Sequence, residues 1–236
     1  MLPLPIHYAE VEEVFSRTIG HTLPSLALTA AIDGEGVSTL AYALARRSAA
    51  AGLRTLLVDF NLRNPSIGPR LGCPSTAWTP EDESSNAAII PLSRTGLSIL
   101  PAPHSVTSSW GFRDAGILRG CFARWHEQFD RIVADTSPLS ARNQDNVPPE
   151  TVAAVCEGSI LTVLTGRTTE SDIVEASDRL AGAGARLVGV VLNDRFAPTL
   201  ADELCRETRR MQRWLPGLME TVRRRLRTSM LLNQAL

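Results

Sequence analysis

Three short stretches of this sequence carry the residue types that handle phosphate and a divalent cation. The first is Asp33, Gly34, Glu35, Gly36, Val37, Ser38 and Thr39, which follows the apolar run 25–30 and opens an alanine-rich segment. Glycines at such a junction let backbone N–H groups approach phosphate oxygens, the helix N-terminus favours their charge, and the Ser38 hydroxyl is placed to ligate magnesium. A lysine ordinarily precedes that hydroxyl and reaches the terminal phosphates, but here the position holds Val37. No other lysine substitutes for it, because all 24 residues of the lysine-plus-arginine total are arginine. A replacement charge has to come from an arginine, the metal or a partner.

The second stretch, from Leu56 to Ser66, ends an apolar run on Asp59 and continues through Asn61, Arg63 and Pro65. The third, from Phe129 to Pro138, ends another on Asp135, followed by Thr136 and Ser137. A carboxylate at the C-terminal tip of a parallel strand stands where ligands gather. Two of them suit a magnesium ligand, a base, or the holder of metal-bound water. Taken singly the motifs are weak, since a Gly-x-Gly-x-Ser string also occurs at ordinary strand-to-helix turns and either aspartate also serves as a cap. Their order and spacing together favour a phosphate site.

Such residues need elements to hold them. Apolar β-type runs alternate with helix-length amphipathic segments, which predicts an α/β fold with a mostly parallel sheet covered by helices. Strands are expected near 25–30, 54–59, 97–101, 131–135, 159–165 and 186–193, and helices near 38–51, 112–128, 169–183 and from 199 onward. Near-continuous apolar strands such as Thr55 to Val58 are what burial on both faces requires. The stretch 73–94 turns rich in Ser, Pro and acidic residues and reads as a surface loop; 137–150 is a second such stretch. Loops after Asp59, Asp135 and the first strand are candidate site walls.

The organisation expected is an N-terminal helix or arm over 1–22, a phosphate-site domain over 23–197 and an arginine-rich extension over 198–236. In the extension Met211, Leu215, Leu218, Val222 and Leu226 recur at helical spacing among arginines, with Pro216-Gly217 interrupting the pattern. That pattern fits a solvated helix face, an amphipathic surface that docks a partner helix or an anionic membrane, or non-specific DNA contact.

Composition narrows the classes. With 236 residues, 44% hydrophobic and 21% charged, the chain is neither disordered nor fibrous. A net charge of −1 gives no global attraction to nucleic acid or anionic membrane. Cys73, Cys121, Cys156 and Cys205 form no CxxC or Cys/His cluster and read as reduced packing residues. No apolar run approaches a membrane span and no signal-peptide layout opens the chain, so a cytoplasmic location is expected.

With these motifs the chain resembles the deviant-Walker P-loop ATPases, and within them the cytoplasmic kinase domain of bacterial tyrosine kinases that govern capsule and exopolysaccharide synthesis. Asp33-Gly-Glu-Gly-Val-Ser-Thr39 is similar to the family's P-G-E-G-K-S-T, and Asp59 to Ser66 to its D-x-D-L-R-x-P-S. Phe129-Asp130 with Asp135 to Pro138 is similar to F-D-x-x-x-x-D-T-P-P, and Gly189 to Asn193 to G-V-V-L-N, whose asparagine contacts adenine. The resemblance implies a P-loop NTPase fold with ATP or ADP and Mg2+ as cofactors. It implies nucleotide contacts from residues 33–39 and Asn193, magnesium at Ser38, Asp59 and Asp135, and a membrane partner of the chain-length-regulator type in polysaccharide synthesis and export.

The chain also departs from that pattern. Val37 replaces the lysine, Asn61 the second acid of the second motif and Ser137 a proline of the third. The family's tyrosine-rich tail has no counterpart, the chain's tyrosines being Tyr8 and Tyr42, and its E-x-x-R-x-x-R helix would align with Glu13, Ser16 and Ile19. Three functions follow as alternatives. One is a degenerate kinase-like regulator or scaffold of polysaccharide synthesis, peripheral at the inner face of the cell membrane, with weak or no catalysis at Asp59 and Asp135. Another is an active ATPase or tyrosine kinase in which Arg63 or a partner's arginine replaces the lysine. The third is a partitioning-type positioning ATPase on DNA or membrane.

Overall fold

The computed structural model describes residues 4–92, 95–104, 110–141 and 146–194, so the arginine-rich extension and the helix expected from 199 onward lie outside the described residues. The chain groups into two units, Met1–Val163 with Thr168–Asn193, and Leu164–Arg167 with Asp194–Leu236. In the second, the Arg167 N–H donates to the Leu164 carbonyl at 3.1 Å and the Thr165 hydroxyl donates to the Asp194 carboxylate.

In chain order the elements are α1 (Ala9–Arg17), β1 (Ser25–Ala30), α2 (Val37–Ala50), β2 (Thr55–Asp59), α3 (Ile67–Leu71), α4 (Ser84–Ala87) and β3 (Ile90–Pro91). There follow β4 (Leu97–Leu100), α5 (Ala115–His126), β5 (Arg131–Asp135), α6 (Pro149–Val155), β6 (Gly158–Leu164), α7 (Glu170–Gly182) and β7 (Leu187–Asn193). The strands form one sheet in the order β3-β4-β2-β5-β1-β6-β7. Pairs β1–β5, β1–β6, β2–β4 and β2–β5 are parallel, while the short β3 runs antiparallel to β4.

Residues alternate between the two faces of this sheet. Leu56, Val58, Ile132 and Ala134 enter one apolar cluster, with Phe60, Trp78, Phe112, Phe122 and Trp125. Leu57, Val133, Leu26 and Leu28 enter the other, with Val11, Phe15, Leu40 and Leu44. Burial on both faces is why these strands read as unbroken apolar runs. Helix α1 lies on the second face against α2, where Phe15 is buried, the Arg47 guanidinium stacks 4.3 Å over its ring and Arg47 Nη2 donates to Glu12 at 2.8 Å.

Two expectations change. The stretch 73–94 is more than a surface loop: it contains α4 and β3, and Trp78 is buried with its indole N–H donating to the Pro101 carbonyl at 2.8 Å. One large aromatic outweighs the polar residues around it. The helix expected at 112–128 starts later, at Ala115, because the Asp114 carboxylate accepts from the N–H groups of Gly116 (2.7 Å) and Ile117 (3.0 Å) and caps it there.

Candidate nucleotide and magnesium site

Strands β2, β5 and β1 are parallel neighbours in the middle of the sheet, so the loop after β1 and the carboxylates ending β2 and β5 meet at their C-terminal ends. Between β1 and α2 the chain turns on Gly34 (φ +85°) and Gly36 (φ +92°), left-handed conformations that L side chains disfavour. Gly36 is needed for a second reason, because a Cβ there would lie 2.6 Å from Asn193 Nδ2. That amide donates to the Glu35 carbonyl at 2.9 Å. The Glu35 side chain turns inward, its carboxylate accepting from the N–H groups of Ala31 (2.7 Å) and Ile32 (3.1 Å) and from the Thr168 hydroxyl. These contacts hold the loop in shape from within. Val37 opens α2 as a buried member of the apolar cluster that α1 and α2 share.

Asp59 and Asp135 are register partners on adjacent strands, both fully buried. Asp59 accepts from the N–H of Asn61 (3.0 Å) through one oxygen and from those of Ser66 (3.1 Å) and Ile67 (3.2 Å) through the other. Burial nevertheless pushes its carboxyl up to about 6, against the pull of those N–H groups and of Arg70. Asp135 is pushed well above the carboxylate range, first by burial and then by the Asp59 charge, with Ser38 and Arg70 pulling back. The Ser38 hydroxyl faces it without closing a hydrogen bond, since both Asp135 oxygens are buried and, among the described residues, have none. Two buried carboxylates, one of them orphaned beside a hydroxyl, are a donor set for a hard dication, so these residues fit magnesium.

The wall expected after β5 is formed by residues 136–140. Thr136 N–H donates to the Leu28 carbonyl (3.1 Å), Leu139 N–H to Ala30 (2.8 Å) and Ser140 N–H to Ala31 (3.1 Å), so this stretch runs alongside β1 into the loop.

The fold therefore brings residues 33–39, Asp59, Asp135 and Asn193 together. Asn193 stands on the loop itself, through Glu35. Asn61 caps its own turn, its side-chain oxygen accepting from the Asn64 N–H at 3.3 Å, and Arg63 is exposed in that turn. Two residues escaped the sequence reading. Thr168 binds Glu35 from 133 positions away, and Arg70 on α3 is the cation whose field acts on both aspartates. Neither belongs to a motif.

No family model matches the chain. Among curated proteins it is 25% identical over 188 residues to the tyrosine-protein kinase YwqD of Bacillus subtilis, covering 75% of each chain. It is 28% identical over 185 residues to the tyrosine-protein kinase CpsD of Streptococcus pneumoniae serotype 4, covering 74% of this chain and 77% of that one. To the succinoglycan biosynthesis transport protein ExoP of Rhizobium meliloti it is 28% identical over 177 residues, 71% of this chain and 22% of ExoP. Among solved structures, the VpsO kinase domain superposes with a TM-score of 0.65 at 24% identity, over 78% of this chain and 92% of that one. Cobyrinic acid a,c-diamide synthase from Mycobacterium smegmatis, with bound ADP and magnesium, superposes at 0.59 and 15% identity over 72% and 74%. The chain is a homologue of bacterial tyrosine-protein kinases, built on the P-loop NTPase fold.

Proposed function

We propose that this chain is a kinase-like P-loop protein that binds a magnesium nucleotide and acts as a regulator or scaffold of polysaccharide synthesis and export, with phosphoryl transfer lost or greatly slowed. The observation that carries the reading is Val37, buried in the core where a lysine would serve the phosphates, beside a loop and an aspartate pair that remain in place. Loss of one charge-assisted hydrogen bond weakens binding by roughly 1.5–3 kcal/mol, which backbone amides, the helix N-terminus and the metal partly offset. Loss of one preorganised donor costs about 10²–10³ in rate, and phosphoryl transfer depends almost wholly on such donors. Catalysis suffers more than binding.

In this reading Ser38, Asp135 and Asp59 would hold magnesium, which would neutralise phosphate charge. The N–H groups of the loop orient the phosphates, and Asn193 ties the loop to β7. Asn61 has a neutral amide where an acid would stand, so it cannot take up a proton as a carboxylate base would. The similarity to tyrosine-protein kinases and to ExoP supports a polysaccharide context, with an export membrane protein of the chain-length-regulator type as partner and the inner face of the membrane as its place.

The test is calorimetric titration of the full chain with ATP and ADP, with and without magnesium, beside transfer of labelled phosphate to a tyrosine-containing polymer. Magnesium-dependent binding with transfer near background is expected, and Val37→Lys should raise both. Robust transfer by the unaltered chain would overturn the reading in favour of a working kinase.

A further inference from the structure

A phosphate group on the 33–39 loop needs a cation that residue 37 does not supply. Most well-placed arginines are committed elsewhere: Arg47 to Glu12, Arg54 to Asp130, Arg131 to the Ile19 carbonyl and Arg179 to Glu150. Arg124 is held by Glu83 and by the carbonyls of Pro80 and Asp82. Arg70 is exposed and, among the described residues, makes no ion pair or side-chain hydrogen bond.

Its position is fixed by the site itself. Asp59 holds the N–H groups of Ser66 and Ile67 at 3.1 and 3.2 Å, and Arg70 follows one turn later, its N–H donating to the Ser66 carbonyl at 3.3 Å. At the far end Gly72 adopts φ +65°, and the Cys73 N–H closes on the Gly68 carbonyl at 3.0 Å. The inner side of α3 is packed, with Ile67 buried and Gly68 so near β4 that a Cβ would lie 3.1 Å from Pro101 Cβ. Helical side chains lean toward the helix N-terminus, which directs the long Arg70 side chain back over the turn that Asp59 holds.

We propose that Arg70 is a phosphate-binding residue whose guanidinium, carried on α3, contacts the terminal phosphate of a nucleoside di- or triphosphate in place of the lysine absent at position 37. This rests on the nucleotide-site reading above. The chemistry is that of a charge-assisted, fork-shaped donor on phosphate oxygens.

The experiment titrates the full chain and its variants with ADP and ATP in magnesium and with AMP. Arg70→Gln should weaken ADP and ATP about tenfold or more while AMP moves by about twofold or less. Arg70→Lys should recover most of the loss, Arg119→Gln on α5 should match the parent, and Val37→Lys should restore affinity in the Arg70→Gln background. A structural defect in α3 would give neither the phosphate-number dependence nor the rescue. If the parent binds nucleotide and Arg70→Gln binds ADP and ATP equally well, or loses AMP to the same degree, the Arg70 assignment is overturned and the nucleotide site stands. The same holds if the loss appears in Arg63→Gln instead. Failure of the parent to bind any nucleotide at millimolar concentration overturns the nucleotide site and the assignment with it.

Discussion

Asp135 ends β5 with two buried oxygens that, among the described residues, no donor satisfies, next to the carboxylate of Asp59. Held ionised without a cation, such a group costs about 1–3 kcal/mol or more. The sign of the pH dependence follows from Asp59. Its folded-state value of about 6 lies above the roughly 3.9 of an unfolded aspartate. Between those values the folded chain binds more protons than the unfolded one, so the pair's contribution to stability falls as pH rises through that window. Without metal, the melting temperature should therefore drop from pH 5 to pH 7. Asp135→Asn should flatten that slope, raise the pH 7 value by a few degrees and remove the magnesium dependence of nucleotide binding. A pH profile identical in parent and variant would refute the account. The two aspartates and the loop glycines were legible in the sequence because their residue types state their chemistry. Arg70 was not, because it acts from a five-residue helix, Ile67–Leu71, whose Gly and Pro give no helical signal.

At the scale of elements, the strands and the long helices were readable for the same reason they are stable. Two-sided burial writes continuous apolar runs into β1, β2, β5 and β6, whose residues are nearly all buried. Trp78 shows the opposite case, a single anchor hidden among Ser, Pro and acidic residues. Helix α1 docks on α2 through Phe15 and Val11 and through the Glu12–Arg47 pair at its rim. Burial should dominate, since exposed ion pairs contribute little and a buried aromatic much. Phe15→Ala should cost about 3–5 kcal/mol in urea unfolding, whereas Glu12→Ala should leave the midpoint nearly unchanged. Equal effects would mean that the rim pair, and not the apolar contact, holds α1.

For the whole molecule, the site lies at the C-terminal ends of the central strands of a sheet whose two faces carry separate apolar clusters, one holding Phe60, Trp78, Phe112, Phe122 and Trp125 and the other mostly aliphatic. A ligand bound only by the folded chain stabilises both through mass action. Magnesium ADP at a hundred times its dissociation constant should add about 2.7 kcal/mol and raise the melting temperature accordingly. An unmoved melt at millimolar magnesium nucleotide would contradict the proposed site. Among the described residues no helix is long and apolar enough to cross a membrane.

The contacts of Glu35 bear on how the site comes into being. The loop's shape depends on Thr168 and Asn193, which join it from 133 and 158 residues further along. During synthesis from the N-terminus, β1, α2 and both aspartates leave the ribosome well before the residues that hold Glu35 in place. A nascent chain that has not yet reached Asn193 therefore carries every phosphate-handling motif without the finished cradle. The loop motif is therefore translated long before the residues that close the site around it.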